Sequence, residues 1–256
     1  MRYCIRGLNA LFSLVVFLCF FVVVAYAGYA LWDNSQVYAA AENVREELLQ
    51  FKPSADPETE EGPTFAELKR INADVCAWVT LDNTAIDHPV LQGTDNLTYI
   101  NRDVYGNFAL AGSIFLDSRN DSRFSDPYSL LYGHHMENSG MFGDLDLYKD
   151  EEFFRDNTSG LLITPDGVYD LEIFACLLVN ASDDFIFEPE AWQEDLESAY
   201  SHVEENAMYL RQETWERLGS EDRILALSTC SGEFSDARTV VLAVMHPRHT
   251  DVQEGS

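Results

Sequence analysis

Positive charge is what this sequence has least of. Its 256 residues include 16 Lys and Arg against 44 Asp and Glu, a formal net charge of −28. Nucleic-acid binding needs a basic footprint to neutralise phosphates, so that class of function is excluded. Cysteine is sparse, at five residues, and no CxxC or Cys/His spacing of the zinc type occurs. The adjacent His134-His135 pair is poor ligand geometry, because neighbours on a strand point to opposite faces. There is no glycine-rich phosphate loop and no internal repeat. No metal and no cofactor is expected.

Charge of either sign is missing from Gly7 to Trp32, and the centre of that stretch, Leu11 to Val24, is almost wholly apolar. About 20 such residues cross a bilayer as a helix. Arg2 and Arg6 precede the stretch and Asp33 follows it. The positive-inside rule then leaves the N-terminus in the cytoplasm and the remainder of the chain outside. Ala25-Tyr26-Ala27 resembles a signal-peptide cleavage site, a competing reading, but the apolar run exceeds the usual h-region of about 7–15 residues. Either way the main domain is exported. It then carries 14 basic and 44 acidic side chains, the pattern of a solvated acidic surface.

The expected organisation is a cytoplasmic tail at 1–6, an anchor at 7–32, a juxtamembrane helix and acidic linker at 33–63, a folded domain at 64–249 and a tail at 250–256. Pro53 to Pro63 supplies the linker composition. Thr64-Phe65-Ala66-Glu67 has the form of a capping box opening a short helix to Ile71. Eight β-rich runs follow: 77–81, 85–91, 113–116, 130–134, 160–164, 168–179, 225–230 and 238–245. Regularly spaced short strands with polar turns argue for a barrel or sandwich. One short helical stretch falls between 141 and 154. A long one, from about Pro189 to Gln212, carries Trp192, Leu196, Tyr200, Val203, Ala207 and Leu210 as an apolar stripe fit for core packing.

The last two runs, with the polar turn 231–237 between them, organise the chemistry. If they pair, Cys230 at the end of one strand and Arg238 at the start of the next face one reacting group from adjacent positions. Only a thiolate attacks, and an ordinary cysteine titrates near about 8.5, so a cationic neighbour or a base is required. Arg238 is a permanent cation with several donors. A buried structural cysteine beside a surface arginine is the other reading. Among the six histidines, His134 closes an apolar strand after Gly133 and is displayed where a loop begins, as catalytic side chains commonly are. Cys4 and Cys19 fall at or in the anchor, so Cys76, Cys176 and Cys230 are the exported thiols, an odd number.

Leu130-Leu131-Tyr132-Gly133-His134-His135-Met136, followed by Met141-Phe142-Gly143-Asp144-Leu145, resembles the histidine motif of class B sortases. Leu227-Ser228-Thr229-Cys230 is similar to their cysteine motif, and Arg238-Thr239-Val240-Val241 to their arginine strand. Asn96 to Asp103 and Gly112 to Asp117 resemble the segment before the histidine strand. The likeness runs from about Thr64 to Met245. It implies a mainly β fold, a closed eight-stranded sortase β-barrel with N-terminal helices and a long helix inserted between late strands. It implies a membrane-anchored extracellular transpeptidase of Gram-positive bacteria. Such an enzyme cleaves a C-terminal sorting motif of a secreted protein and passes the acyl group to an amine, on a cell-wall precursor or a pilin lysine. By motif, Cys230 is the nucleophile, His134 the general acid/base, and Arg238 positions substrate and steadies the oxyanion; His135 takes no role. Ser228 and Thr229 are candidate cleft residues, equally readable as ordinary strand residues. The Ser231 N–H is a candidate second oxyanion donor, and Asp236 a candidate partner of Arg238. A secreted cysteine hydrolase would use the same three residues, and a tethered binding module with a buried cysteine would use none.

Overall fold

The computed structural model describes residues 2–56, 64–137, 139–230 and 237–248, with the backbone alone at 2–4 and 230. The chain divides into two compact units, residues 1–40 and 41–256.

The first unit is helical. Helix α1, Arg2–Leu49, runs through it, and its most apolar window has a mean hydropathy of 2.7. Its large apolar side chains are exposed, Phe12 at 69% and Leu31 at 74% among them. A helix apolar on all sides suits lipid and not water.

The second unit begins with the last turns of α1. Leu48 is buried, and Val44, Leu49 and Phe51 pack with it against a cluster that includes Trp78, Leu91, Tyr99 and Phe115. Lys52 reaches Asp87 at 2.8 Å and the Thr80 hydroxyl at 3.1 Å. Helix α2, Phe65–Ile71, opens with Glu67 accepting the Thr64 N–H at 3.0 Å. That is the reciprocal cap expected from the residue spacing.

Nine strands follow: β1 Val75–Leu81, β2 Asp87–Leu91, β3 Ile114–Leu116, β4 Tyr128–His134, β5 Ser159–Thr164, β6 Gly167–Asn180, β7 Ala207–Leu210, β8 Ile224–Cys230 and β9 Ala237–Pro247. Their order is β5-β1-β2-β3-β4-β8-β9-β6-β7, and β5 also pairs with β6, which closes eight of them into a barrel. β2/β3 and β4/β8 are parallel pairs and the others antiparallel. A parallel pair needs a crossover; the one joining β4 to β8 holds β5, β6, β7 and the helices. From Val240 to Met245 every residue of β9 is buried, because one face lies inside the barrel and the other under helices.

The eight expected strands are present; six gain one or two residues at one or both ends, while β2 and β3 start two residues and one residue later than expected. The expected long helix is not continuous. The segment between β6 and β8 holds α4 Asp184–Phe187, α5 Glu190–Glu194, α6 Leu196–Asn206, β7 and α7 Gln212–Trp215. Asp195 breaks it, at φ −147°, and its carboxylate accepts the Ser198 N–H at 3.0 Å as the cap of α6. Past Asn206 the chain pairs with the free edge of β6, Ala207 opposite Leu177 and Leu210 opposite Ala175. The apolar stripe does pack inward: Trp192 stacks on Tyr128 with centroids 4.4 Å apart, and Ala199 and Val203 are buried beside it.

Candidate active site

Strand register brings the three candidate residues to one end of the sheet. β4 and β8 pair His134 with Cys230. β8 and β9 are paired from Ile224 with Val244 to Ser228 with Val240, and beyond that last pair Arg238 opens β9 at the same end of the sheet where Cys230 closes β8. Residues directly opposite in paired strands share a sheet face. His134 and Cys230 are therefore level on adjacent strands, and Arg238 lies at the same end of the next strand.

The strand ends are held by glycines where nothing larger fits. A Cβ on Gly133 would lie 2.4 Å from Ile114 Cδ1 and 2.7 Å from the Phe142 ring. Beyond His134 the chain folds back: the Phe142 N–H donates to the His134 carbonyl at 3.0 Å, and His135 bridges Met141. The 3-10 helix Gly143–Lys149 then brings Asp146 to these strand ends. Its carboxylate accepts the Thr239 hydroxyl at 2.7 Å, the Lys149 ammonium at 2.8 Å and the His135 ring at 3.1 Å. Burial pushes the Asp146 carboxyl up, but Lys149 and Thr239 outweigh it and hold the group below the usual carboxylate range. Asp146 thus fixes the residue next to Arg238 and the residue next to His134 together.

His134 is half-buried, and its Nε2 lies 2.7 Å from the Ile100 carbonyl oxygen. A carbonyl only accepts, so Nε2 carries a hydrogen and the lone pair of the neutral ring is on Nδ1. The carbonyl is placed by Gly112, whose φ is +61° and whose Cβ, if it had one, would meet Ile100 O at 2.3 Å. Arg238 is also half-buried and directs Nη1 to the Thr229 carbonyl at 3.4 Å.

Ser228 and Thr229 are both buried; the Ser228 hydroxyl donates to the Thr229 carbonyl at 3.4 Å, and Thr229 Oγ1 accepts the Thr239 N–H at 3.3 Å. Each hydroxyl bonds a protein atom, as an ordinary strand residue does. Ser231 and Asp236 lie outside the described residues. Tyr132, two positions before His134 on the same face, packs against both core clusters, with Phe115 on one side and Phe187 of α4 on the other. It lies between the β2–β3 loop, residues 92–113, and the helical segment before β8.

Among the described residues after α1, the other thiols and imidazoles are paired or buried. Cys76 and Cys176 are free and buried, and burial pushes both thiols up to about 12. Burial pushes the His88 imidazole down to about 4. His202 pairs with Asp183 at 2.8 Å and His246 with Glu172 at 2.9 Å. Sequence reasoning missed Asp146 and the Ile100 carbonyl. The only signal available for them was the run Met141 to Leu145 before one, and the tight Ala-Gly-Ser turn before β3 for the other.

A closed barrel that brings a cysteine, a histidine and an arginine to one end of three adjacent strands is the arrangement expected of a barrel-built cysteine enzyme. No family model matches the chain. Sortase B of Staphylococcus aureus is 30% identical over 183 residues, which are 71% of this chain and 74% of that protein. A solved Bacillus anthracis protein similar to sortase B aligns with a TM-score of 0.68 at 32% identity, covering 85% of this chain and 98% of that one. A Streptococcus pyogenes class B sortase involved in pilus biogenesis aligns with a TM-score of 0.65 at 36% identity, covering 72% of this chain and 98% of that one. The chain belongs to the class B sortases, which are cysteine transpeptidases.

Proposed function

We propose that the protein is anchored by its N-terminal helix with residues 1–6 in the cytoplasm, 7–32 in the membrane, and the catalytic domain, 64–249, outside. There it cleaves a sorting motif near the C-terminus of secreted proteins and joins the acyl part to an amine, on a cell-wall precursor or a pilin lysine. The observation that carries this reading is the pairing of His134 with Cys230, with Arg238 at the same end of the adjacent strand.

The chemistry follows from the three groups. Cys230 gives its thiol proton to His134 Nδ1, the thiolate attacks the scissile carbonyl carbon, and the negative charge that develops on oxygen faces the Arg238 guanidinium. The C–N bond breaks as His134 gives its proton to the leaving amine, leaving a thioester. The incoming amine loses a proton to His134 as it attacks, the thiolate departs, and a new amide remains. Acid/base help of this kind is worth roughly 10²–10⁴ in rate. The Ile100 carbonyl keeps the ring from turning between the two proton transfers.

The test is intact-mass spectrometry of the full chain in detergent micelles with a library of sorting-type peptides. An acyl adduct on Cys230 that disappears on addition of an amine, with an amide product, is the expected result. Its amide identifies both motif and acceptor. An adduct that persists in Cys230→Ala, or acid alone as product whatever amine is offered, overturns the reading.

A further inference from the structure

Asp117 follows β3, and its side chain has no exposed surface. Five hydrogen bonds converge on its carboxylate. Arg119 gives three of them, from its backbone N–H and Nε at 2.9 Å and from Nη2 at 2.8 Å. The Asn96 amide donates at 2.8 Å and the Tyr132 hydroxyl at 3.1 Å. Burial pushes the Asp117 carboxyl up, and the Arg119 and Asn96 donors together hold it below the usual range.

The donors come from three separate segments. Asn96 belongs to the β2–β3 loop, and its side-chain Oδ1 also accepts the Ser118 N–H at 2.7 Å. That loop carries Ile100, whose carbonyl holds His134. Tyr132 belongs to β4, on the face of His134. Arg119 extends outward to the Phe187 carbonyl at 2.6 Å and to the Glu188 carboxylate, and so grips the end of α4. Phe187 in turn stacks on Tyr132. A buried ion pair is a poor source of net stability, because desolvation offsets the attraction. Its geometry is what it contributes.

Resting on the function proposed above, we propose that Asp117 and Arg119 are positioning residues that set the gap between the β2–β3 loop and α4 across Tyr132. They thereby shape the walls that hold the sorting peptide beside His134, Cys230 and Arg238. They touch none of the reacting atoms, so they act on substrate binding and leave the thiol chemistry alone.

The test uses the full chain in micelles, wild type beside Arg119→Ala and Glu188→Gln. Four quantities are read: KM and kcat for thioester formation, the pH profile of Cys230 alkylation by iodoacetamide, and hydrogen exchange at the amides of residues 186–192. For Arg119→Ala the expected result is a KM raised roughly tenfold with kcat within about threefold. The alkylation profile superimposes on wild type, and exchange is faster at 186–192 with the barrel strands unchanged. A folded Arg119→Ala with wild-type KM overturns the proposal, as does an alkylation profile displaced in step with a lost kcat. If Arg119→Ala does not fold, Glu188→Gln decides, since it breaks only the outer grip: a KM raised about threefold supports the proposal and an unchanged KM overturns it. Should the wild type form no thioester with any peptide, the functional reading fails. The exchange measurement still decides the clamp, and unaltered protection at 186–192 overturns it.

Discussion

Replacing Gly112 by alanine tests the link between a backbone turn and the histidine. Gly112 has φ +61°, where a side chain costs roughly 1–2 kcal/mol. The added Cβ would also sit 2.3 Å from the Ile100 carbonyl oxygen and 2.8 Å from that of Tyr99. Both neighbours are backbone, and neither yields by a rotamer change. Relief requires a shift of about 1 Å, at an overpacking cost of about 1–3 kcal/mol. Together these give a destabilisation of about 2–5 kcal/mol, read as a lower urea midpoint with an unchanged slope. The atom displaced is the one that accepts the His134 Nε2 hydrogen at 2.7 Å. Thioester formation should therefore fall by up to about 10²-fold in the fraction that remains folded. Gly167→Ala is the control, since nothing lies within 4 Å of its Cβ position; it should stay within about 0.5 kcal/mol of wild type. Wild-type stability and rate in Gly112→Ala would refute the reasoning.

Arg238→Lys should lose nearly as much turnover as Arg238→Ala, because an ammonium does not reproduce the planar fork; near-normal kcat/KM in the lysine variant would mean that charge alone matters. The double variant Cys76→Ala, Cys176→Ala should keep its rate of Cys230 acylation, because both thiols are protonated at neutral pH; a large loss would show that one of them takes part. His88 gives a stability term with a definite sign. Its folded value, about 4, lies below the ordinary one, 6.5, so the unfolded chain binds more protons between them. Stability from this group is complete above about pH 6.5 and falls by roughly 3 kcal/mol as the pH drops to about 4. Urea melts across that window should show the slope in wild type and a smaller one in His88→Gln. Asp117 and Asp146 shift the other way relative to their charge. Their depressed values add stability above the ordinary carboxylate range, lost only as the pH falls below about 4.

The sequence by itself determined what depends on neighbours along the chain. An uncharged run of apolar residues specifies a helix suited to lipid whatever follows it. Alternating β-branched and aromatic runs marked the eight barrel strands, and Thr64 with Glu67 marked the start of α2, because caps and strand patterns are local chemistry. Cys230, His134 and Arg238 were legible for the same reason: each closes or opens such a run. What only the tertiary structure decided is how distant runs meet. That β4 and β8 lie parallel with His134 beside Cys230 depends on a crossover holding half the domain. The segment from Pro189 to Gln212 reads as one helix by its stripe, yet ends at Asn206, because the edge of β6 offers backbone bonds to Ala207–Leu210. Periodicity tells which side chains pack inward and not whether an unpaired edge is waiting. Asp146 and Asp117 looked like two acidic residues among 44, and only folding gave them their donors. The Ile100 carbonyl is present in every residue type, so no sequence signal marks it; its role comes from where Gly112 lets the chain pass.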